Sequence, residues 1–149
     1  MNKYFVYVIE LDEEVAEYQK FRTKNPFYIK GSGCLYIGQS TRKPELRFEQ
    51  HKEGYKSNSY AKKFGLRLRP DIYDKYNPIP TRIDALEIEK MLGERLRKKG
   101  VGVWFNWWFD ILMQEYDKKE LKNRRPLNII AIILALVFIS FAIILYNQT

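Results

Sequence analysis

Five side chains able to do acid–base, electrostatic or metal chemistry stand at separated points of this chain. Tyr7 closes the run Phe5-Val6-Tyr7, and Tyr36 opens Tyr36-Ile37-Gly38. Arg47 and His51 lie four residues apart, and Glu89 closes Ala85-Leu86-Glu87-Ile88-Glu89. Singly, each has a bland reading. Tyrosines in apolar runs are ordinary strand residues, and a lone histidine is more often inert. A glutamate in an apolar stripe more often ends in a half-buried salt bridge. Together they are the parts that hydrolysis of a phosphodiester requires: a base for water, positive charge on the phosphorane and help for the leaving oxygen. Arg47 can hold a phosphate through two parallel N–H bonds. His51 can donate to the phosphate or shuttle a proton. Glu89 can hold a hard divalent cation that fills its other positions with water and phosphate oxygens. A phenol, with an ordinary pKa of about 10, works as a base only if a neighbouring metal or arginine lowers it.

The elements that must position these groups are legible in outline. Lys3 to Glu10 is rich in β-branched and aromatic residues and predicts a strand. Asp12 to Arg22 predicts a short helix capped by Asp12 and ended by Asn25-Pro26. Phe27–Lys30 and Cys34–Gly38 flank Gly31-Ser32-Gly33, a hairpin signal. A helix is expected from Thr41–Pro44 to about Glu53, placing Arg47 and His51 on one face. Ser57 to Lys63 is polar around Tyr60. Leu66 to Arg69 alternates and reads as a third strand or an extended loop before Pro70. Asn77-Pro78-Ile79-Pro80 is a turn. Thr81, with Asp84 three residues later, opens a helix to about Lys99, closed by Gly100 and Gly102. On that helix Ala85, Leu86, Leu92 and Leu96 share a stripe with Glu89, and Gly93, one turn on, leaves room beside the carboxylate. Val103 to Phe109 is the densest aromatic run, read either as core packing or as an interfacial belt.

Charge divides the chain. It carries 26 Lys and Arg against 18 Asp and Glu, a net +8, all before Leu127. That excess favours a polyanionic partner, nucleic acid or anionic lipid. One cysteine, Cys34, excludes an intrachain disulfide and a cysteine-based zinc site. Leu127 to Tyr146 carries no charged side chain. Its length at helical rise is about 30 Å, the thickness of a bilayer core. A transmembrane helix is therefore expected over 127–146, with 147–149 as a short tail and 107–126 as an aromatic and basic connector. Lys118, Lys119, Lys122, Arg124 and Arg125 precede the span, so the N-terminal domain is expected in the cytoplasm, with a single-pass, tail-anchored layout. No signal-peptide pattern opens the chain.

In type and order these motifs resemble the GIY-YIG nuclease superfamily over Lys3 to Asn106. Tyr36-Ile37-Gly38 matches its second tripeptide, and Phe5-Val6-Tyr7 stands at the first, of which only the tyrosine is kept. Arg47-x-x-x-His51 and Ala85-Leu86-x-x-Glu89 match its helical motifs. Asn106 stands near its closing asparagine, at a stretched spacing. The resemblance implies an α+β fold: a small three-stranded antiparallel sheet flanked by helices over 1–106, here with an unusually long insert at 12–30. It implies Tyr7 as base or water-positioner with Tyr36 beside it, Arg47 on the phosphate, His51 assisting and Glu89 holding one Mg²⁺ or Mn²⁺. Gly38, Lys52 and Asn106 are the expected substrate-binding residues. The implied function is a membrane-anchored endonuclease acting on DNA. The rival is an inactive nucleic-acid- or partner-binding module on the same scaffold.

Overall fold

Two apolar strands form the centre of the described domain. The structure, a computed structural model, describes residues 3–105. β1 (Phe5–Leu11) and β2 (Cys34–Ser40) pair antiparallel, from Phe5 opposite Ser40 to Leu11 opposite Cys34. Both are buried over most of their length, as runs without strict polar alternation should be. β3 (Gly65–Leu68) adds antiparallel to β1, with a register shift at Glu10 and Leu11. β4 (Gly102–Trp104) adds parallel to β2, with Tyr36 opposite Trp104. The order is β3-β1-β2-β4, a mixed four-stranded sheet.

The expectation of three antiparallel strands is therefore corrected by one strand. Three residues are too few to show a period. β4 forms because Gly102 leaves room for Phe21 and Cys34 while Val103 and Phe105 enter the core. The aromatic run accordingly begins as core, and Trp104 packs on Phe21 and Tyr60. The hairpin expected across Gly31-Ser32-Gly33 does not form. The antiparallel partner of β2 is β1, more than twenty residues earlier, and Phe27 and Ile29 are exposed.

The insert is two pieces rather than one helix. A 3-10 turn over Glu13–Glu17 is capped by the Asp12 carboxylate, which accepts from the Glu14 N–H, and α1 (Gln19–Lys24) follows after an extended Tyr18. α2 (Pro44–Glu53) begins with proline in its first turn and ends at left-handed Gly54. α3 (Ser59–Phe64) is capped by Asn58, and α4 (Pro70–Tyr73) is a single turn. α5 (Arg82–Arg97) starts where Thr81 Oγ1 accepts from the Asp84 N–H at 3.1 Å. It packs on β2, β4 and β1.

Asn106, the connector 107–126, the expected span 127–146 and the tail 147–149 lie outside the described residues. Among the described residues no helix is long and apolar enough to cross a membrane.

Candidate active site

Strand register brings the two tyrosines together. Tyr7 pairs with Gly38, and Tyr36 lies two residues before Gly38, so both phenols project from one face of the sheet. Their ring centroids are 6.1 Å apart. A Cβ on Gly38 would sit 2.7 Å from Tyr7 Oη and 3.1 Å from Tyr36 Cε1. Gly38, expected on the substrate, thus acts sterically and opens the space through which the Tyr7 ring crosses its neighbour strand.

α2 delivers the imidazole. His51 is fully buried, 5.8 Å from the Tyr7 ring and 5.3 Å, edge-on, from Tyr36. Its Nε2 lies 2.9 Å from Tyr7 Oη. The other nitrogen, Nδ1, receives the backbone N–H of Asn58 at 3.2 Å. An amide can only donate, so Nδ1 is an acceptor and the neutral ring carries its proton on Nε2. His51 is therefore a donor to the Tyr7 oxygen. Burial, with the Arg47 charge adding to it, lowers the His51 pKa from 6.5 to about 4, so the ring is neutral at physiological pH. Ser57 Oγ, 3.1 Å from Nδ1, lies within hydrogen-bond distance of the carbonyls of His51 and Asn58 and braces the same turn.

The two phenols differ. Burial raises both, and the Glu89 charge raises both further. Against this, Tyr7 is held down by the Arg47 charge and by the nearby polar groups of Tyr36 and Arg47, whereas Tyr36, though the Arg47 charge lowers it too, is pushed higher by Tyr7 itself. With the His51 Nε2–H at 2.9 Å and the Arg47 charge nearby, Tyr7 is the phenol that gives up its proton first. The lowering anticipated from the arginine is outweighed by burial, and Tyr7 sits above its ordinary value.

Glu89 reaches the cluster from α5 with 2% of its surface exposed. Beside it the sequence expectation needs one correction: the gap at Gly93 is filled by the Phe105 ring, whose Cδ1 would lie 2.5 Å from an added Cβ. Arg47 acts electrostatically on Tyr7, Tyr36 and His51, yet its terminal nitrogens bond to the carbonyls of Tyr55 (3.1 Å) and Lys56 (2.6 Å). Lys52 is not brought in: its ammonium pairs with Glu49 at 3.6 Å and covers the Phe48 ring. Asn106 is outside the described residues.

Three asparagines outside the five-residue constellation hold the frame. Asn58 fixes the histidine tautomer. Asn77 bonds the Val6 N–H and C=O with its side chain, at 2.9 and 2.8 Å. Asn25, buried, accepts from Val103 N–H and Arg97 Nε and donates to the Phe21 carbonyl. Asn25 and Asn77 left a local trace only as the residues before a proline, where a helix ends and a turn begins.

Among the described residues no group of three or more His, Cys, Asp and Glu could form a protein-only metal cage. One buried carboxylate beside two phenols is a hard-oxygen donor set, which suits an ion of the Mg²⁺ kind that keeps several waters and takes substrate phosphate oxygens. No curated protein and no solved structure matches the chain. Residues 3–101 match the GIY-YIG catalytic domain, about two thirds of the sequence and a range that contains the described site. By that match the chain belongs to the GIY-YIG catalytic domain family, a family of nucleases.

Proposed function

We propose that this chain is an endonuclease that hydrolyses DNA phosphodiester bonds with one divalent ion, Mg²⁺ or Mn²⁺. The observation that carries the reading is convergence. Tyr7, Tyr36, Arg47, His51 and Glu89 come from β1, β2, α2 and α5 and meet in one cluster. Four of them are buried, which costs desolvation that a merely structural core would avoid with apolar side chains.

The chain's own groups divide the work. Tyr7 first loses its phenol proton to solvent water and, as the phenolate, orients the attacking water and accepts its proton. His51, locked as an Nε2 donor, and Tyr36 stabilise the oxygen that has lost its own. Arg47 faces the charge that develops on the phosphorane. Glu89 would hold the metal; when bound, the ion supplies Lewis-acid charge to the phosphate and offsets the carboxylate charge that raises both phenols. The reading extends to a membrane: residues 127–146 anchor the domain, which faces the cytoplasm, with 107–126 as connector. This part rests on the uncharged run and on the basic residues before it.

The test is cleavage of supercoiled, linear, branched and single-stranded DNA by the full chain, with either metal and with chelator, beside Glu89→Ala. Cutting should require metal and fall at least about 100-fold in the variant, with binding retained. A variant that cuts like the parent would remove Glu89 from the mechanism. One observation favours an inactive binding module instead: the Arg47 nitrogens are engaged by loop carbonyls. That reading predicts DNA binding without cutting under every metal condition.

A further inference from the structure

Next to the cluster, and sharing Arg47 with it, lies a cavity of about 340 Å³ at the end of β2. Its lining includes Gln39, Ser40, Arg42, Tyr55 and Lys56, and it contains three cations and no carboxylate. In size it falls at the lower end of small-ligand sites, which run from about 300 Å³.

Tyr55 is the feature that the nuclease chemistry leaves unused. Its side chain is half exposed, while the backbone that carries it is fixed. Arg47 clamps the carbonyls of Tyr55 and Lys56 to α2, and Lys56 is held in the left-handed region at φ 44°. A non-glycine residue stays there only when its surroundings enforce it. The Arg42 guanidinium and the Lys56 ammonium each lie 5.6 Å from the Tyr55 ring centre. Arg42 is positioned in turn by Ser40, whose Oγ accepts its backbone N–H at 3.0 Å. The result is an aromatic ring on a braced turn, two long cations over it, and amide and hydroxyl groups along the wall.

This combination fits one kind of occupant. A base stacks on the ring by displacing one of the two cations over it, the displaced cation then reaches the phosphate beside that base, and Gln39 and Gln50 can meet its polar edge. A base within continuous duplex has both faces covered by its neighbours and cannot use the ring. We propose that the cavity takes an unpaired nucleotide of the substrate strand next to the scissile phosphate, so that the favoured substrates carry a single-stranded stretch at the cut. The proposal rests on the nuclease reading for the position of the cut, but its binding test does not.

The test is fluorescence anisotropy with the full chain in nonionic detergent and chelator at fixed salt. One labelled DNA strand is presented alone, in a blunt duplex, and in a duplex with an overhang. The parent should prefer the single strand and the overhang. Tyr55→Ala should weaken those two by about 5- to 100-fold, the loss of one base–aromatic stack, and the blunt duplex by less than about two-fold. Tyr55→Phe keeps the ring and should restore the preference, which separates stacking from a folding defect. Equal weakening on all three DNAs, or none, overturns the proposal. So does adenosine monophosphate that competes with the strand at equal affinity, since the cavity would then serve a free nucleotide. Selective, Tyr55-dependent binding without metal-dependent cutting would support the site and overturn the nuclease reading alone. Cutting that ignores Tyr55 would do the reverse.

Discussion

His51 shows how little a residue type says until its two nitrogens are placed. As a lone histidine it has an ordinary pKa near neutrality. Buried beside Arg47, it stays neutral down to about pH 4. The unfolded chain takes up this proton as pH falls through 6.5, whereas the folded chain refuses it until about 4. Stability should therefore be lost as pH falls from 6.5 to 4, by as much as about 3 kcal/mol. Urea midpoints followed over that range should fall in the parent and flatten in His51→Gln, and parallel curves would show that the imidazole is not the group refusing the proton. Gly38 belongs to the same scale. In Gly38→Ala the added methyl meets the Tyr7 oxygen, and Tyr7, 1% exposed, has nowhere to retreat. Overpacking should lower stability by about 1–3 kcal/mol. The displaced phenol should slow cleavage by about 100-fold, and a rate equal to the parent's would detach Tyr7's position from the reaction.

Among the elements, β4 is short and is held in part by side-chain bonds, Asn25 Oδ1 accepting the Val103 N–H and Arg97 donating to the Val103 carbonyl. It has three residues and lies at a sheet edge, and α5 and the insert meet there through Asn25. Asn25→Ala would leave the buried Val103 N–H without its acceptor and free the Phe21 carbonyl. We expect about 2–3 kcal/mol of destabilisation, with the Val103 amide losing its protection from hydrogen exchange first. Unchanged exchange at Val103 would mean that β4 is held by Phe105 and its apolar packing instead. The long insert thus has a structural role, because α1 carries Phe21 and Asn25 to the side of the sheet where β4 docks.

For the whole molecule, the proposed partners follow from the charge pattern and the uncharged run 127–146. A basic domain followed by such a run should stay with membranes through an alkaline carbonate wash, and a chain cut before Leu127 should be released. Release of the full chain would remove the anchor from the reading. A tether would also restrict the substrate to DNA that reaches the bilayer surface, leaving the basic residues of 118–125 to share their charge between phosphodiester and anionic lipid.

Much of this was determined by the sequence alone. The β1 and β2 runs, the α2 and α5 helices and their start signals are written in local composition. The identity of the five cluster residues follows from motifs that each fit within a few positions. Local chemistry carries this information because strand, cap and helix periods are short-range. The tertiary structure decided what depends on distant partners: that β2 pairs with β1 rather than with Phe27–Lys30, that β4 joins in parallel, that Gly93 makes way for Phe105 and Gly38 for Tyr7. It also decided the protonation states, because a pKa is set by burial and neighbouring charge. No spacing in the sequence places the Asn58 amide on His51, and that one bond makes the histidine a donor.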